Sequence, residues 1–234
     1  MREKVIFFLL AVLLPFKAYA NDSKISDAVN IRHTMATFDN YSENNISDGA
    51  YRHKSNEYSE VTDDPNVMKA LDLMVGTIGE SSRASILGNN QSGKAMKIVF
   101  KDLTEISPQY KDFDALGWKV HGQLYIYINN KHKNAPAEAI GSLLSHEALH
   151  DDNFNSLNEE TYAWTMESAV WLQMKKRNSN LNNLNQYPLV SRENSLGAMF
   201  RRKNYTDKDI RQEVENNPGY SDLPKRSPGF EDDN

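Results

Sequence analysis

The stretch that most constrains this chain is His146, Glu147, Ala148, Leu149 and His150, followed downstream by Glu159, Glu160 and Glu167. Residues four apart on an α-helix lie on one face, so His146 and His150 can direct two imidazoles at one metal ion, with Glu147 one position round the barrel. The flanking residues allow such a helix. Residues 135–145 read as a helix start, with Pro136 suited to the first turn and no later proline to break it.

Catalytic zinc takes three protein ligands and keeps a fourth position for water, so a third ligand is needed after the two histidines. At about 100° per residue, Glu159, Glu160 and Glu167 all fall within the apolar arc centred near Ala163, so burial alone does not choose among them. If the two helices run roughly antiparallel across a short connection, the first turn of the second lies opposite His150. Glu167 is then about 10 Å farther along the axis, too far to share the ion and better suited to accept a hydrogen bond from a ligand imidazole. Ser156 and Glu159 form an S-x-x-E capping box, which would occupy Glu159 and point it about 100° away from Glu160. Glu160 is the expected ligand, with Glu159 and Glu167 as the alternatives to be separated by metal affinity.

Residues 95–175 resemble the zincin-like metallopeptidases of the gluzincin kind. There H-E-x-x-H on one helix is followed by a second helix that supplies a glutamate, often in a Glu-x-x-Ala or Glu-x-x-Ser setting. Glu160, Thr161, Tyr162 and Ala163 match that setting. In one departure, thermolysin-like members carry an aspartate four residues after the ligand glutamate, where this chain has Trp164. Their arrangement around that aspartate therefore does not carry over. The resemblance implies an α+β, zincin-like fold, with a small sheet packed on the H-E-x-x-H helix and a following glutamate-bearing helix. It also implies Zn2+ held by His146, His150 and Glu160, Glu147 as catalytic general base, and a protein or peptide substrate.

Residues 1–20 read as a secretory signal: Arg2 and Lys4 lead, residues 5–16 are apolar, and Ala18, Tyr19 and Ala20 make a small-x-small cleavage site. The expected location is secreted or periplasmic. No other run approaches the roughly 20 apolar residues that span a bilayer, so no stable membrane anchor is expected after cleavage. With no cysteine, the chain cannot use a disulfide framework. A formal net charge of −5 without a basic cluster argues against nucleic acid as a partner. A monomer is expected.

Residues 21–62 are polar and aperiodic, and read as a flexible leader. A second reading makes them a pro-segment, with His33 or His53 reaching the metal. Residues 63–178 form the expected metallopeptidase domain, and 179–234 a C-terminal helical extension with a loose, turn-forming tail. Within the domain, a helix starting at Asp64 and Pro65 would carry Val67, Met68, Leu71, Met74, Val75 and Ile78 on one face. Met96, Ile98 and Phe100 alternate as a strand, and residues 102–120 read as irregular. Residues 121–129 form a second strand, with Leu124, Ile126 and Ile128 inward and Tyr125 and Tyr127 opposite, placed as the sheet edge that lines the cleft. His121 and His132 read as loop histidines without ligand spacing. The second motif helix carries Ala163, Met166, Val170, Trp171 and Met174 inward and ends in Lys175, Lys176 and Arg177, which suit the helix dipole. Further helices are expected at 191–202 and 206–215. Tyr187, Tyr205 and Tyr220 are candidate transition-state donors that the sequence does not place.

Three functional readings compete. The leading one is a zinc hydrolase that cleaves peptide bonds. The second is an inactive, zinc-stabilised binding protein of the same fold, and the third is an accidental motif with ordinary polar-face histidines. Glu147 favours the first over the second, since a structural zinc site does not need it.

Overall fold

The computed structural model describes residues 56–90, 92–150 and 155–227. The expected signal, its cleavage site and the leader histidines His33 and His53 lie outside the described residues. Described structure starts with residues 56–62, where Tyr58 and Val61 are already buried, within the stretch read as leader.

Helix α1, Pro65–Met74, starts where Asp64 accepts from the backbone N–H groups of Asn66 and Val67 at 2.8 and 3.2 Å. It ends sooner than the apolar stripe suggests. Gly76 takes φ 67°, turning the chain so that Ile78 reaches the core from a loop before α2, Glu80–Ile86. Arg177, expected to serve its own helix dipole, instead donates to the α1-end carbonyls of Leu73 at 3.2 Å, Val75 at 3.0 Å and Gly76.

Strands β1 (Lys97–Lys101), β2 (Ala115–Val120) and β3 (Gln123–Asn129) form a three-stranded sheet in the order β1-β3-β2. β1 runs parallel to β3, and β2 antiparallel. His121 and Gly122, at φ 49° and 80°, make the two-residue turn with positive φ at both positions that matches strand twist. Leu124, Ile126 and Ile128 are buried as the alternation predicts, and Tyr125 and Tyr127 stack at 5.4 Å on the other face. Two expectations change. Residues 115–120 are a strand and not irregular, so β3 is the central strand and β2 an edge. β2 escapes the usual pattern because the positions sharing the face of Ile128, Ile126 and Leu124 are Ala115, Gly117 and the exposed Lys119, while its large side chains point the other way.

Every residue of α3, Ala137–Glu147, is buried. Gly141 allows its closest crossing, since a Cβ there would lie 3.1 Å from the Ala70 carbonyl oxygen and 3.3 Å from Met174 Cε. Helix α4, Leu157–Arg177, packs beside α3, and on its far side Trp164 and Ala169 join Leu196, Phe200, Ile210 and Val214 in a second core cluster. Those last four come from α5, Pro188–Arg202, and α6, Lys208–Asn216. Packing therefore continues across residue 178, where the sequence suggested a boundary. The described residues form a mixed architecture of six α-helices and one small sheet. No described helix is long and apolar enough to cross a membrane.

Residues 217–227, expected to be loose, are docked across the start of α4. Leu157 N–H donates to the Pro224 carbonyl at 2.9 Å and Asn158 N–H to that of Lys225 at 3.3 Å. Helix N-termini leave such donors without intrahelical partners, and this strap satisfies two of them.

Candidate metal centre

α3 ends at Glu147, and the chain then tightens: Leu149 N–H bonds the His146 carbonyl at 2.9 Å and His150 N–H that of Glu147 at 3.2 Å. His150 thus sits on a tightened turn just past the helix, rather than on the continuous helix the spacing predicts. The rings still converge, with centroids 5.0 Å apart and planes at 68°. Gly117 of β2 lies directly above, where a Cβ would touch His150 Cβ at 3.9 Å.

α4 starts at Ser156, whose hydroxyl accepts from Glu159 N–H at 3.1 Å. Only half of the capping box forms. Ser156 N–H donates to Asn155 Oδ1 at 2.7 Å, and the Glu159 carboxylate goes to His150 Nδ1 at 3.0 Å and accepts from Ser227 Oγ at 3.3 Å. Glu167 Oε2 meets His146 Nδ1 at 3.1 Å. Each imidazole therefore has its Nδ1 turned to a buried carboxylate, which makes that nitrogen the donor and aims Nε2 the other way. Glu160 lies where both are aimed: its Oε2 is 3.6 Å from His146 Nε2 and its Oε1 3.5 Å from His150 Nε2. His146, His150 and Glu160 offer ligand atoms all within 4.8 Å of one another, and together they can hold a metal ion.

Two features test whether a cation fits. Glu160 Oε1 accepts from Asn155 Nδ2 at 2.5 Å, but Oε2 is buried with no hydrogen-bond partner. Such an orphaned oxygen is costly unless a cation meets it. Burial works against charge on His150, yet the Glu160 and Glu159 carboxylates outweigh it and push the pKa up to about 10. The pocket is thus built to hold positive charge, and a two-nitrogen, one-oxygen donor set suits zinc. Glu147 lies beside the triad, its Oε1 4.0 Å from His146 Nε2. Burial raises its pKa against the pull of both histidines, in the direction a general base near neutrality requires.

Among the candidate tyrosines, Tyr187 precedes α5 and Tyr205 packs edge-on against Phe200 at 5.6 Å. Tyr220 alone of the three lines the cleft, with Phe113, Trp118 and the edge of β2. Its Oη accepts from Trp164 Nε1 at 3.2 Å, and burial together with the Glu160 charge holds its proton on well above the usual range. His121 is exposed in the hairpin turn, and His132 is buried with its Nε2 2.6 Å from Asp114 Oδ1, so neither belongs to the site. Trp164, standing where thermolysin-like proteins have aspartate, gives its ring N–H to Tyr220 and bonds neither histidine. Glu167, one turn farther on, holds His146 instead.

Asn155 and Arg192 are absent from the sequence reading. Asn155 lies in the connection between the two motif helices, and Arg192 lay in the supposed extension. Comparisons with protein-family models, curated proteins and solved structures found no match to this chain.

Proposed function

We propose that the protein is a zinc-dependent hydrolase of zincin-like architecture that cleaves peptide bonds. The observation that carries this reading is the buried Glu160 carboxylate facing two Nε2 atoms, its Oε2 without a hydrogen-bond partner, with a spare buried carboxylate, Glu147, beside them. Zinc bound by His146, His150 and Glu160 would polarise a carbonyl and lower the pKa of water to about 7. Glu147 takes a proton from the attacking water and then delivers it to the leaving amine. β2, the edge strand along the cleft, leaves backbone groups on one side with which an extended peptide can pair. The zinc-stabilised binding protein remains the competing reading, and Glu147 argues against it because ligation alone gives that residue no task.

Incubating the purified protein with a peptide library, with and without chelator, tests the proposal. Cleavage should occur, stop on chelation and return with added zinc. A zinc-loaded protein that cleaves no member of the library would favour the binding reading, and a protein that takes up no zinc would sink both.

In the same reading, the Tyr220 hydroxyl, which lines the cleft, donates to negative charge developing on the carbonyl oxygen. Tyr220→Phe should keep its zinc and lower kcat about a hundredfold with little change in KM. A variant with unchanged kcat removes Tyr220 from the mechanism.

A further inference from the structure

The carboxylate that holds His146 is itself held. Glu167 is fully buried on α4, and Arg192 of α5 grips both of its oxygens, with Nη2 3.0 Å from Oε2 and Nη1 bonded to Oε1. Nη1 also meets Glu193 Oε1 at 3.0 Å, while Nε lies 3.1 Å from Asp114 Oδ2. Asp114 immediately precedes β2 and is tied in turn to His132 Nε2 at 2.6 Å and Lys131 Nζ at 3.0 Å. The guanidinium plane sits over the Trp164 ring, 5.3 Å from its centroid. One side chain therefore joins three elements: α5 that bears it, α4 through Glu167, and the start of the edge strand through Asp114.

We propose that Arg192 is the positioning residue for the metal ligand His146, acting through Glu167. A carboxylate buried against an imidazole alone would be under-compensated, and it could rotate about its terminal torsion. The planar fork supplies the opposing charge and fixes both oxygens in one plane, which a lysine cannot do. With Oε2 fixed, the His146 Nδ1–H has one direction in which to point, and Nε2 is aimed at Glu160 and His150. Trp164 contributes by setting the guanidinium plane, which gives a use to the residue that departs from the thermolysin-like pattern. Burial alone would raise the Glu167 pKa, but the Arg192 charge and the His146 contact hold it low, in keeping with a permanent acceptor.

This inference rests on His146 being a metal ligand, so its test reads zinc affinity, by chelator competition, alongside thermal melting. Four variants are compared with the wild type: Glu167→Gln, Arg192→Met, Arg192→Lys and the double Glu167→Gln/Arg192→Met. Glu167→Gln and Arg192→Met should each weaken zinc binding about 10- to 100-fold, the usual cost of losing an outer partner of a ligand histidine. The double variant removes both members of the main buried pair, so its fold does not depend on an uncompensated Glu167. Its affinity should fall no more than about threefold below that of the weaker single variant, because both changes break one chain of contacts. Arg192→Lys, which keeps the charge but not the fork, should still lose about tenfold.

If Arg192→Met does not fold, the double variant against Glu167→Gln, together with Arg192→Lys, decides the matter. Losses that multiply in the double, or a folded Arg192→Lys or Arg192→Met that binds zinc as the wild type does, overturn the assignment while leaving the metal site standing. A wild-type protein that binds no zinc removes both.

Discussion

Glu147→Gln should retain its zinc and lose turnover by roughly a thousandfold or more, toward the upper end of what general acid–base catalysis contributes. The amide has nearly the volume of the carboxylate, and Glu147 stands outside the converging triad, so removing its charge leaves the ligand atoms where they are. What is lost is the ability to accept a proton from water and return it to the leaving amine. The fold should not suffer. Glu147 is a buried acid whose charge is disfavoured there, and a neutral amide relieves that cost. Zinc content and kcat are the two measurements, and wild-type hydrolysis by pure, zinc-loaded Glu147→Gln would falsify the mechanism.

The second large effect concerns Glu160. Glu160→Gln should weaken zinc binding by more than about a hundredfold, exceeding the 10- to 100-fold losses expected for Glu159→Gln and Glu167→Gln, which act through the histidines. The geometry separates these roles: Glu160 faces both Nε2 atoms at 3.5–3.6 Å, whereas Glu159 and Glu167 each engage one Nδ1. Chelator competition reads the effect. An unchanged affinity at Glu160 with a large loss at Glu159 would transfer the ligand role.

The parts of this site that could be read from the chain were those set by local geometry. Spacing of four brought His146 and His150 together, and helix rise separated Glu160 from Glu167 and cast the latter as an acceptor for an imidazole. The parts that escaped depend on partners far away in sequence. Ser156 and Glu159 have capping-box spacing, but the carboxylate follows the stronger demand of His150 and leaves the Ser156 N–H to Asn155. β2 was hidden because Gly117 and the exposed Lys119 share the face of Ile126 and Leu124, a pattern that suits a strand lying over His150 but gives no burial signal. On α5, Leu189, Val190, Leu196 and Phe200 declare the buried face. Arg192 turns inward only because Glu167 and Asp114 await it, and no periodicity announces that. The strap 217–227 has the composition of a solvated turn, yet its carbonyls meet the orphan donors of α4.

That strap also bears on the order in which the protein can be assembled. Ser227 reaches back 71 residues to Ser156 and 68 to Glu159, the carboxylate that holds His150. A growing chain that has emerged only through α4 carries both histidines and Glu160, but not Arg192 and not the strap. Contacts this distant in sequence form late, after the costly loops between them have closed. The nascent polypeptide therefore carries His146, His150 and Glu160 before it carries the distant residues that hold Glu159 and Glu167 in the finished fold.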